Sequence, residues 1–76
     1  MAIITKLDRG ILVHPQKCKE TTAIYYVIDS LDEKYLQIDT FGSKERKFPH
    51  KASQSIRLNK EMGKQIINIL KNEFEI

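Results

Sequence analysis

The chain has 76 residues, is 41% hydrophobic and 30% charged, and carries a formal net charge of +3. That composition makes one globular domain over residues 1–76 and argues against disorder. No stretch approaches the roughly 18 apolar residues of a membrane span. A fold this small buries only about 60% of the surface its unfolded chain exposes, so a homodimer is expected.

The opening, MAIITKLDRG, lacks the apolar run of a signal peptide, and the single cysteine, Cys18, excludes an intrachain disulfide. Both point to a cytoplasmic protein. Residues 1–7 are apolar and β-branched, Asp8-Arg9-Gly10 signals a turn, and ILVH follows before Pro15. This pattern predicts a short hairpin or one bent strand. Pro15 to Glu20 reads as a polar loop. Thr21 to Asp29, TTAIYYVID, is rich in β-formers and predicts a strand. SLDEK is a turn, and Tyr35 to Phe41 is the next strand, ended by Gly42-Ser43. A loop carrying Pro49 leads to a last strand at Ser53–Leu58. Asn59 is a suitable N-cap and Glu61 suits the helix dipole, so a helix is expected from about Lys60 to Glu73.

Alternation of side chains assigns the faces. Leu36, Ile38 and Thr40 share one face of their strand; Tyr35, Gln37, Asp39 and Phe41 share the other. On the last strand Ile56 and Leu58 oppose Ser53, Ser55 and Arg57. Ile24, Tyr26 and Ile28 are assigned to the core face, with Tyr25 and Val27 opposite. Met62, Ile66, Ile69, Leu70 and Phe74, broadened by Ile67, form a helical stripe that covers the Leu36/Ile38/Ile56/Leu58 face. The stripe is wide for a helix with one neighbour. Gly63 costs about 1 kcal/mol relative to alanine inside a helix, which suits a close backbone contact. Met62, Gly63, Ile66, Ile67 and Leu70 are therefore the expected dimer contacts. The fold class is α+β: a curved antiparallel sheet of four to five strands followed by one C-terminal helix on one face.

Charge is placed unevenly. Residues 44–51 hold Lys44, Arg46, Lys47 and Lys51 against Glu45, so the whole excess of +3 sits in one loop. A patch of this kind suits a polyanion. An open face bearing Tyr35, Gln37, Phe41 and Arg57 beside that loop suits single-stranded nucleic acid, with aromatics stacking on bases and the loop neutralising phosphates. Cross-strand packing accounts for the same aromatics equally well.

The strand order and the segments YYVIDS, LDEK, YLQIDTFGS, KERKFPHKA and SIRLNKEMGKQIINIL resemble the positive cofactor four family of single-stranded-DNA-binding transcriptional coactivators. The likeness spans residues 25–74. It implies a dimer whose curved sheets grip DNA, with Phe41 as the base-stacking aromatic and Gln37 as a polar contact. Lys44, Arg46, Lys47 and Lys51 would touch phosphates, and Arg57 would lie on the open face. Three positions depart from the pattern: Asp39 where a basic residue is usual, Gln54-Ser55 in place of Lys-Gly, and Gly63 near a common aromatic.

Other chemistry is weakly represented. Asp39 with Glu45-x-Lys47 mimics the acid, acid-x-lysine set of a metal-dependent nuclease. Gly42 and Ser43 break the strand between them, and such a motif arises easily by chance. His14 and His50 have no partner at metal-ligand spacing. Cys18 lies between Lys17 and Lys19 without a histidine partner. The chain thus reads as a non-enzyme without cofactor or metal, whose partner is single-stranded DNA or RNA. The alternative is a small protein-interaction module with no nucleic-acid ligand.

Overall fold

The computed structural model describes residues 1–42 and 52–76. Four strands and one helix follow in chain order: β1 Ala2–Ile4, β2 Ala23–Asp29, β3 Lys34–Thr40, β4 Gln54–Leu58 and α1 Lys60–Phe74. The strands form one sheet in the order β1-β4-β3-β2. This is the expected α+β arrangement of strands followed by a C-terminal helix, with one correction. The sheet is mixed, because β1 runs parallel to β4 while β2–β3 and β3–β4 are antiparallel.

The β2–β3 hairpin forms because two β-rich segments flank a short polar turn. The Ser30 N–H donates to the Glu33 carbonyl at 2.9 Å, and the Ser30 hydroxyl donates to the same oxygen at 2.7 Å. Lys34 and Asp29 face each other at the neck, their charged atoms 3.7 Å apart. At the other end of β3, Gly42 has φ 69°, a left-handed conformation that glycine adopts without steric cost. The Thr21 hydroxyl donates to its carbonyl at 2.9 Å.

Neither the hairpin nor the bent strand expected of the first 14 residues is formed. Only Ala2–Ile4 joins the sheet, and ILVH is not a strand. After β1 the chain runs along the helix instead. The Gln65 side-chain amide donates to the Leu7 carbonyl at 2.6 Å, and Arg9 pairs with Glu73 at 3.3 Å. The first bond satisfies a backbone carbonyl that a hairpin would have paired within itself, and the second ties the segment to the helix by charge.

The helix begins as expected. The Asn59 side-chain oxygen accepts from the Met62 N–H at 3.0 Å, Glu61 lies in the first turn, and Lys71 lies in the last. Both charges complement the helix dipole. Among the described residues no helix is long and apolar enough to cross a membrane.

The core sits where β4 turns into α1. Leu58 is 8% exposed and Met62 9%, and among the described residues they are the buried hydrophobic ones. The helix therefore covers the sheet less fully than its stripe implies: Ile56 on the same face is 40% exposed. The register also corrects the faces of β2. Val27 pairs with Leu36 and Tyr25 with Ile38, which puts Tyr25 and Val27 on the helix side. Ile24, Tyr26 and Ile28, assigned to the core from sequence, lie on the opposite face, paired with Asp39, Gln37 and Tyr35.

Candidate nucleic-acid interface

The face away from the helix is built in rows across the strands. Tyr26, Gln37, Arg57 and Ile3 form the central row. Ile28 and Tyr35 form a second row, and Ile24, Asp39 and Ser55 a third. Alternation places these residues together, because β3 carries polar or aromatic groups at every odd position from Tyr35 to Asp39.

Arg57 is the hub. Its Nη2 donates to Gln37 Oε1 at 2.7 Å, and also lies 3.3 Å from Met1 Sδ. The Gln37 amide in turn donates to Asp39 Oδ1 at 3.1 Å. The Arg57 guanidinium lies 5.8 Å from the centroid of the Tyr35 ring, within cation–π range. Arg57 Nε is enclosed and has no acceptor among the described residues.

The Tyr35 hydroxyl donates to Glu33 Oε2 at 2.7 Å. That bond holds the Tyr35 pKa above the ordinary tyrosine value; desolvation and the Glu33 charge add to it, and Arg57 opposes it. A raised phenol pKa means that the folded chain favours the neutral ring. The resulting stabilisation is present below the unfolded pKa, about 10, and is lost as pH rises through the folded one. Tyr35 should ionise above the ordinary tyrosine range in an ultraviolet absorbance titration. Glu33→Ala should move that ionisation earlier. An unchanged curve would mean that the Glu33 contact is not maintained.

Three of the expected site residues, Tyr35, Gln37 and Arg57, thus share one face and one network. Phe41 lies just beyond β3, half-buried, with its N–H donating to the Thr22 carbonyl at 3.3 Å. Six residues of extended chain separate it from Tyr35, about 20 Å. The two rings do not cluster, and each would meet a different part of a bound strand. Lys44, Arg46, Lys47 and Lys51, together with Glu45, Phe48 and His50, lie outside the described residues. Tyr26 was missed from sequence; it stands beside Gln37 on this face and is exposed.

Among the described residues the face carries Glu33 and Asp39 against Arg57, so their summed charge is not basic. Among the described residues no three of His, Cys, Asp and Glu come together.

On the other side, Met62 turns into the chain's own core, whereas Ile67 and Leu70 remain exposed and Ile66 is half-buried. Gly63 lines a hollow with Val27, Leu36 and Leu58, and a Cβ added there would meet nothing within 4 Å. The close contact expected at Gly63 is therefore not made within one chain. No protein-family model, curated protein or solved structure matches the chain.

Proposed function

We propose that the chain binds single-stranded nucleic acid without catalysis, as a homodimer acting in transcription or DNA metabolism. The observation that carries this reading is the shared face of Tyr35, Gln37 and Arg57, with Tyr26 beside them. Aromatic rings there stack on bases, a contribution of about 1–3 kcal/mol per base that tolerates any sequence. Phe41 stands at the end of β3 where the chain enters the basic segment. Lys44, Arg46, Lys47 and Lys51 supply the phosphate contacts, since the whole net charge of +3 resides there. A homodimer draws its interface from the exposed Ile67 and Leu70 of the helix or from the bare flank of β2.

A second reading has its own support. Glu33 and Asp39 repel phosphate, and β2 is apolar on both faces, which suits a protein-docking module without a nucleic-acid ligand.

Fluorescence anisotropy of labelled oligo-dT, against a duplex control at low and moderate salt, separates the two. Salt-sensitive binding that prefers the single strand is expected. Absence of binding even at low salt would sink the nucleic-acid reading and leave the docking module.

A further inference from the structure

The outer edge of β2 is an unsatisfied template. Phe41 N–H bonds to the Thr22 carbonyl and Ser30 N–H to the Glu33 carbonyl, at the two ends of the β2–β3 ladder. Antiparallel bonding alternates, so the even residues Ile24, Tyr26 and Ile28 turn their backbone groups toward β3. The odd residues Ala23, Tyr25, Val27 and Asp29 turn theirs outward. Among the described residues no hydrogen bond reaches these outward groups.

Edge strands of soluble proteins are normally short, or guarded by lysine, proline or a bulge. β2 has seven residues, AIYYVID, with neither lysine nor proline. Its side chains are bare as well: Tyr25 is 70% exposed and Val27 59%. The chain as a whole exposes 7368 Å². A compact monomer of this mass exposes about 4,800 Å² by the usual scaling of surface with mass. The excess is about 2,500 Å² per chain, or about 5,000 Å² for a pair, at the upper end of the total that obligate homodimers bury.

We propose that a second copy of this chain occupies the β2 edge. The two β2 strands pair antiparallel about a two-fold axis at Tyr26 and join both sheets into one of eight strands. In that register Tyr25 lies opposite the partner's Val27, Ile24 opposite the partner's Ile28, and Ala23 opposite the partner's Asp29. The odd residues exchange about eight hydrogen bonds. Aromatic and β-branched side chains oppose one another, a favourable cross-strand pairing, and no like charges meet.

The consequence for the site rests on the reading of this chain as a homodimeric single-strand binder. Tyr26 and the partner's Tyr26 become neighbours on the open face. The central row then runs from Arg57 through Gln37 and both tyrosines to the partner's Arg57. It crosses five strand spacings, about 24 Å. The second copy thus contributes half of the binding platform.

The test is site-directed cross-linking in a Cys18→Ser background, because Cys18 is itself exposed. Tyr26→Cys should oxidise to a covalent dimer, since this residue meets its own copy on the axis; Ile67→Cys should not. Val27→Pro supplies the second arm. The Val27 N–H points outward, so proline leaves the β2–β3 ladder intact and blocks only the edge. Sedimentation should show a dimeric parent and a monomeric Val27→Pro variant with unchanged circular dichroism. A monomeric parent at micromolar concentration, or cross-linking through Ile67→Cys but not Tyr26→Cys, overturns the proposal. Oligo-dT anisotropy on the same parent sample separates the two ideas. Binding without a β2 cross-link rejects only the edge, and a β2 cross-link without binding rejects only the nucleic-acid function.

Discussion

Replacing Lys44, Arg46 and Lys47 together by alanine is expected to weaken oligo-dT binding by about tenfold to a hundredfold at 0.1 M salt. The estimate comes from counterion release. Each phosphate contact on a single strand contributes about 0.7 to the slope of log affinity against log salt, so three lost contacts flatten the slope by about 2. The variant's net charge falls from +3 to zero. A control must therefore separate a local patch from net charge. Lys6, Lys17 and Lys19 changed to alanine remove the same charge elsewhere and should cost little. If both triple variants lose affinity equally, the basic segment is not the phosphate contact and only the overall field matters. Phe41→Ala should behave differently from either. It should lose about 1–3 kcal/mol with the salt slope unchanged, because stacking releases no counterions. Its N–H to the Thr22 carbonyl is a backbone bond and survives the substitution.

Much of this architecture could be read from the sequence where a pattern had one solution. Leu36 and Ile38 alternate with Tyr35, Gln37 and Asp39, so both faces of β3 followed from parity. Asn59 before a 3.6-residue apolar stripe marked the helix start, and the N-cap bond to Met62 is formed. β2 had no such solution. Ile24-Tyr25-Tyr26-Val27-Ile28 is apolar at both parities, and the register places Tyr25 and Val27, not Ile24, Tyr26 and Ile28, on the helix side. A usable signal lay in the turn. Asp29 and Lys34 carry opposite charges on either side of the four-residue turn SLDE. Pairing them fixes the register that places Tyr26 against Gln37. The parallel pairing of β1 was not legible, because three residues carry no directional pattern and their partner is more than 50 residues away. Gln37 and Arg57 could be placed on one face by parity. The 2.7 Å bond between them depends on the β3–β4 register, which alternation leaves open.

Leu58→Ala is expected to be the most destabilising single change in the described chain. Leu58 is the last residue of β4, directly before the Asn59 cap, and pairs with Leu36 on one side and Ile4 on the other. It is therefore packed by the sheet while its neighbour Met62 packs it from the helix. Truncating a buried leucine costs about 2–5 kcal/mol, the larger values where the surroundings cannot collapse into the gap. For a domain of this size each kcal/mol lowers Tm by about 4–8 °C, so thermal unfolding should shift by ten degrees or more. Ile56→Ala is the informative comparison. Ile56 shares the face of Leu58 but is 40% exposed in one chain, so its truncation should cost well under half as much. The β2 edge pairing leaves Ile56 uncovered, since two strands separate β4 from the two-fold axis. Equal losses for the two variants, measured by urea unfolding at several protein concentrations, would therefore mean that a second copy covers the helix-side face. A small, concentration-independent loss at Ile56 with a large one at Leu58 would fix the core at the β4–α1 junction and leave the β2 edge as the place where two copies meet.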